Sequence, residues 1–212
     1  MDIVAEAQAD VRATRERIQN LDDNSLDLLF RKARTYHVFK DKPVPADKLR
    51  EIHALMSWGP TSTNGNPARI IFLTSPEAKA PLMPALNPGN VAKIEGAPVT
   101  AIIAYDIEWF NNLARLFPHR DMSGPYKSNA AKAEEGAFRN SSLQGAYFML
   151  AARALGLDVG GISGFDNTLV DEAFFVGTSM RSNFLCNLGY GDESALFQRL
   201  PRLEFDEVCE IR

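Results

Sequence analysis

With 212 residues, 45% of them hydrophobic, and a net charge of −4, the chain has the apolar content to bury a core and no excess of positive charge to draw it to nucleic-acid phosphates or anionic lipid. Its two cysteines, Cys186 and Cys209, form no CxxC pair and stand beside no histidine cluster, so neither a disulfide framework nor a metal site is expected. The first residues lack the positive-then-apolar order of a signal peptide and no segment approaches ~20 apolar residues, so a single cytoplasmic domain over residues 1–212, with no membrane partner, is expected.

In chain order, residues 1–20 carry apolar positions at Val4, Val11 and Ile18, one per seven residues, too thin a stripe for a helix with its own core, and read as a helix or arm that lies on a partner. Leu26, Leu29, Phe30 and Ala33 predict a short helix, with Asn24 or Ser25 as N-cap. Leu49, Ile52, Leu55 and Met56 predict a second, closed by Gly59-Pro60. The polar segment Pro60–Pro67 then runs into the apolar Arg69–Leu73, a loop feeding a strand.

Residues 76–88 read as helical with a Pro- and Gly-rich end, and Pro98–Ala104 as a strand buried on both faces. Residues 105–133, with Trp109, Phe110, His119, Arg120 and Tyr126, read as irregular, and a loop of that length is usually functional. A helix follows from about Glu134 to Leu155, with Gly156 at the C-cap. Asp158–Asp166 reads as a glycine-rich loop, Thr168–Phe175 as a short helix and Phe184–Tyr190 as a third strand. No repeat or linker divides the chain.

Candidate chemistry is dispersed. The hydroxyls and carboxamides of Pro60–Pro67 offer donors and acceptors suited to a heteroaromatic ring. Arg34-Thr35, Arg199 and Arg202 have the residue types of an anion site. The glycines of Asp158–Phe165 do not form GxGxxG between a strand and a helix, and no GxxxxGK[ST] occurs, which disfavours Rossmann and P-loop sites. Of His37, His53 and His119, the last lies in the irregular segment and is the better active-site candidate. No GxSxG or HExxH accompanies them, so no catalytic side chain is assigned.

In this order the segments resemble the FMN-dependent nitroreductase family. Ala33–Phe39 is similar to its N-terminal arginine pattern, Pro60–Pro67 to its Pro-Ser-Ser-x-Asn-x-Gln-Pro pattern, and Asn90-Val91-Ala92-Lys93 to its Asn-x-x-Lys. Gly160–Asp166 matches its glycine loop and Arg199–Leu203 its C-terminal arginine segment. Trp58–Ser62, Pro67–Ile70, Leu116–His119, Ala137–Gln144 and Ser163–Asp166 further resemble the malonic semialdehyde reductases of pyrimidine degradation, which form 3-hydroxypropionate.

The resemblance implies an α+β fold with a central, mostly antiparallel sheet flanked by helices, in an intertwined homodimer with FMN at the subunit interface. It implies FMN phosphate against Arg34, Thr35, Arg199 and Arg202. It implies the ribityl chain and ring near Pro60, Thr61, Ser62, Asn64, Asn90 and Lys93, with backbone donors at Gly161, Ile162, Ser163 and Gly164. Ala33 departs from the family's first arginine, and His37 replaces a basic residue near the ring, which shifts that role toward Lys93. The chemistry it implies is hydride transfer from NADPH or NADH through FMN to a small aldehyde acid, with His119, Arg120, Arg69 and Arg139 as candidate substrate contacts. The alternatives are a broad nitroaromatic or quinone reductase and, more distantly, a non-catalytic flavin-binding protein.

Overall fold

The structure is a computed structural model that describes residues 3–212. Helix α1 (Ile3–Arg17) buries none of its residues, as its sparse apolar positions require; residues 1 and 2 of the expected arm lie outside the described residues. Helix α2 (Asp23–Leu26) is capped by Asp22, whose carboxylate accepts the Ser25 N–H at 2.7 Å, and it widens into a π turn over Asp27–Arg31. The cap is therefore Asp22, two residues before Asn24, and not Asn24 or Ser25.

There follow α3 (Ala46–Met56), β1 (Ala68–Leu73), α4 (Pro76–Lys79), α5 (Pro88–Glu95) and β2 (Val99–Asp106). The second half comprises α6 (Leu113–Leu116), α7 (Gly124–Lys127), α8 (Ala130–Ala154), β3 (Asp158–Ile162), α9 (Asn167–Phe174), β4 (Met180–Gly189) and α10 (Phe205–Val208).

The strands form one antiparallel sheet in the order β1-β2-β4-β3. Alternation along β2 divides the core. Val99, Ala101 and Ile103 pack with Ile52 and Met56 of α3 and Phe148 and Ala152 of α8, while Ile102 and Ala104 pack with Ile94 of α5 and Val170 of α9. The fold is thus α+β with helices on both faces of an antiparallel sheet. Full burial of a side chain such as Phe148 contributes roughly 1.5–3 kcal/mol, which is why central β2 is wholly apolar from Ala101 to Ala104.

Several elements depart from the sequence expectation for local reasons. Asp158–Ile162 is an edge strand, because ladder pairing with β4 overrides the poor strand propensity of its glycines. The long helix starts at Ala130, where the Asn129 side chain accepts the Lys132 N–H at 3.0 Å; its C-terminal Gly156 takes the left-handed φ of 76° expected of a cap. The irregular stretch holds α6 and α7, and Trp109 within it is core: 1% exposed, its Nε1–H donates to Ala133 O at 3.0 Å. No helix among the described residues is long and apolar enough to cross a membrane.

Candidate functional site

The Pro60–Pro67 segment is a shaped loop, not a flexible one. Thr63, Asn64 and Asn66 adopt left-handed φ values of 51°, 52° and 45°, a conformation that costs non-glycine residues about 1–3 kcal/mol each. Helix α8 offsets that strain: the Ser62 N–H donates to Asn140 Oδ1 at 2.7 Å, and the Ala68 N–H to Gln144 Oε1 at 2.9 Å. Inside the loop the Asn66 N–H donates to Thr61 Oγ1 at 3.2 Å, and Asn66 Nδ2 to Asn64 O at 2.7 Å. Backbone strain of this kind clusters at ligand-holding segments, and Ser62 and Asn64 are exposed here.

This loop borders a groove of about 1280 Å³ that also meets Pro60, Asn64, Arg69, Trp58 and Leu116. Asn64 Nδ2 donates to Leu116 O at 2.9 Å, which places the exposed turn bearing His119 and Arg120 just beyond the loop. His119 rests edge-on against Phe117. Arg69 is not a free cation: its guanidinium pairs with Asp106 Oδ2 at 2.7 Å and also bonds Asn66 O and Ala68 O. Arg139 pairs with Glu135 one turn away. Both expectations of a substrate-holding arginine are weakened, because the fold already supplies each with a carboxylate.

A second cluster lies at the other edge of the sheet. Thr35 bridges Val159 of β3 and the Tyr36 N–H donates to Val159 O at 3.0 Å, so Arg34–His37 runs along the strand's outer edge. Gly160 permits that approach, since a Cβ there would meet Tyr36 O at 2.2 Å. Helix α5 brings Asn90 and Lys93 to the same place: Asn90 Nδ2 donates to Gly164 O at 2.9 Å and Lys93 Nζ to Asn90 Oδ1 at 2.9 Å. Ile162 turns its side chain into the core, and Ser163 and Gly161 are exposed, with open space above the Gly161 Cα. Burial, and then the charge of Lys93, hold the His37 imidazole below its ordinary pKa.

Arg34, Thr35, His37, Arg199 and Arg202 line one cleft of about 610 Å³. Arg34 donates to Phe197 O, and Arg199 to Ala33 O at 2.8 Å, which ties the N-terminal and C-terminal segments together. Arg202 bonds only its neighbours' carbonyls. None of the three has a carboxylate in ion-pair range among the described residues. Arg153, on the last turn of α8, lines the same cleft; a single arginine ending a helix carries no signal in sequence. Asn140 and Gln144, which position the ring-side loop, were legible only as part of the resemblance segment Ala137–Gln144.

The predicted site residues therefore fall into two groups. Pro60, Thr61, Ser62 and Asn64 sit before edge strand β1, and Arg34, Thr35, His37, Asn90, Lys93, Gly161, Ser163 and Gly164 gather at edge strand β3. Three interstrand gaps, on the order of 14 Å, separate those edges. One chain does not bring them together.

A cleft whose arginines Arg34, Arg199 and Arg202 have no carboxylate partner among the described residues, near an open glycine edge, has the chemistry to take a phosphorylated, ring-bearing ligand. The chain belongs to the Nitroreductase family, whose profile matches residues 30–190. A Stenotrophomonas maltophilia K279a protein, provisionally named NADH dehydrogenase/NAD(P)H nitroreductase, is 58% identical over 191 residues, covering 90% of this chain and 97% of its own. Among solved structures, the provisionally named nitroreductase ydfN of Bacillus subtilis superposes with a TM-score of 0.82 at 19% identity, covering 90% of this chain and 100% of its own. A provisionally named nitroreductase from Exiguobacterium sibiricum 255-15, in complex with FMN, gives 0.79 at 19% identity over 91% of this chain and 99% of its own. These two likenesses, at such identity, speak to the fold.

Proposed function

We propose that this chain is an FMN-dependent NAD(P)H oxidoreductase whose active site is shared by two protomers, the Thr61–Pro67 loop of one facing the Arg34–Lys93–Gly161 edge of the other. One observation carries the reading. Two chemically complementary half-sites lie on opposite edges of a single sheet, and only a second copy can close them around one ring. The FMN complex of the Exiguobacterium relative and the NAD(P)H name of the Stenotrophomonas relative support the choice of cofactors. Phe138, Leu143 and Tyr147 on α8 and Phe197, Leu200 and Leu203 near the C-terminus are exposed large hydrophobic residues, and they support a homodimer.

The residues present fit the flavin. Arg34, Arg199 and Thr35 suit a phosphate dianion, and the space over Gly161 admits a flat ring that any side chain there would obstruct. FMN, when bound there, would supply the hydride chemistry between reduced nicotinamide and the oxidised substrate. Lys93, held by Asn90, would offer a fixed positive charge to the reduced ring, and His37, whose pKa is held below its ordinary value, would contribute less. The strained loop would hold the ring through Ser62 and Asn64, and the exposed His119-Arg120 turn, next to the loop through the Asn64–Leu116 hydrogen bond, would help to keep water from it.

For the substrate, the subfamily resemblance favours malonic semialdehyde, reduced to 3-hydroxypropionate in cytoplasmic pyrimidine degradation. With Arg69 engaged by Asp106, its carboxylate falls to Arg120. The nitroaromatic or quinone reductase reading rests on the name of the Stenotrophomonas relative and on the roomy groove beside the loop. The test is a flavin absorbance spectrum of the purified protein, its bleaching by NADPH or NADH without oxygen, and kcat/KM on malonic semialdehyde, a nitrofuran and menadione. A colourless protein that takes up no added FMN contradicts the oxidoreductase reading. Higher kcat/KM on the nitrofuran or menadione contradicts the substrate assignment.

A further inference from the structure

Arg153 differs from the other arginines of the cleft. It projects from the last turn of the 25-residue helix α8, packed on the sheet, whereas Arg34, Arg199 and Arg202 lie outside helices and strands. Its guanidinium is half-buried and makes one hydrogen bond, Nη1 to Leu29 O at 3.1 Å. No carboxylate among the described residues lies within ion-pair range of it. Arg31, lining the same cleft, shows the contrast: Asp23 and Asp27 neutralise it.

The electrostatic surroundings sharpen this. Burial works most strongly against the Arg153 charge; Cys186 and Asp158 favour it, Asp158 from a position where its Oδ2 already accepts the Gly191 N–H at 2.9 Å, and nearby Arg199 works against it. A cation withdrawn from water beside another cation is unfavourable unless an anion arrives to pair with it. Its place at the C-terminus of α8 gives a partial offset through the helix dipole. That offset does not use the N–H groups left without a partner.

We propose that Arg153 is a fourth phosphate-binding residue. Anchored by one N–H to Leu29 O, it presents its remaining N–H groups to the terminal phosphate of FMN from the end of a helix, in the cleft that Arg34 and Arg199 also line. The assignment rests on the flavin reading above. It adds a specificity: the helix-borne cation discriminates the phosphorylated flavin from the free one.

The test compares FMN with riboflavin on the full-length chain stripped of flavin, by quenching of flavin fluorescence, for the wild type, Arg153→Met and Arg153→Lys. Arg153→Met should weaken FMN about tenfold or more, the loss of a charged hydrogen bond, and leave riboflavin within about twofold of the wild type. Arg153→Lys, which keeps the charge if Arg153→Met folds poorly, should fall between and retain a preference for FMN. Equal loss for both flavins in either variant would mean that Arg153 only holds the Leu29 turn, and unchanged FMN affinity would remove it from the site. Wild-type protein that binds neither flavin would overturn the flavin reading itself, and this assignment with it.

Discussion

The Ser62 N–H donates to Asn140 Oδ1 at 2.7 Å across 78 residues of sequence, so the loop that carries the left-handed Thr63, Asn64 and Asn66 is held by the 25-residue helix α8. Asn140 is 5% exposed, and its Nδ2 bonds Gly136 O one turn back, which fixes the carboxamide orientation.

Asn140→Ala removes the acceptor and leaves the Ser62 N–H without its partner, a loss of about 1–3 kcal/mol. The left-handed residues Thr63 and Asn64 should then relax. Amide exchange over residues 61–66 should accelerate and kcat/KM should fall about tenfold, with the unfolding free energy lowered by no more than that loss. Unchanged exchange in that segment would show that the loop holds its shape alone.

Gly160→Ala places a methyl group where the Cβ would meet Tyr36 O at 2.2 Å. That atom is backbone, so the strand edge or the Arg34–His37 segment must shift. A destabilisation of about 1–3 kcal/mol is expected, with weaker FMN binding. Chemical denaturation and flavin titration check this, and a variant with wild-type values in both would contradict the packing of Arg34–His37 on β3.

His37 links the site to pH. Its folded pKa lies below the ordinary imidazole value, so between the two values the unfolded chain holds a proton that the folded chain releases. Its contribution to stability is complete above about pH 6.5 and declines as the pH falls toward the folded pKa. His37→Phe should flatten that acid-side slope in urea titrations. An NMR titration placing the His37 midpoint at or above the ordinary value would contradict the burial beside Lys93.

Lys93→Ala removes the fixed charge that Asn90 orients. FMN affinity should fall or flavin reduction by NAD(P)H should slow, about tenfold for the loss of one charge-assisted contact. Stopped-flow reduction and flavin content equal to the wild type would remove Lys93 from the site.

Much of this was legible in residue order. The Pro60–Pro67 run announced a polar loop before a strand, and Asn90 and Lys93, one helical turn apart, share a helix face as spacing alone requires. Sequence could not show that Arg69 is engaged, because Asp106 becomes its neighbour only through pairing of β1 with β2. It could not separate the two half-sites either, since their distance depends on strand order, not on spacing along the chain. The glycines of Asp158–Ile162 suggested a loop because local propensity is weak evidence where a neighbouring strand supplies the hydrogen bonds.

The shared site is tested most directly with hybrid dimers. One variant carries Ser62→Ala and Asn64→Ala in the loop, the other Arg34→Ala and Lys93→Ala at the β3 edge, and the two are co-expressed with different tags. Each homodimer should be nearly free of flavin, whereas the purified heterodimer should hold about one FMN per dimer and recover NAD(P)H oxidation, because one of its two sites combines the intact halves. A heterodimer as colourless and inactive as its parents would contradict a site built across two chains.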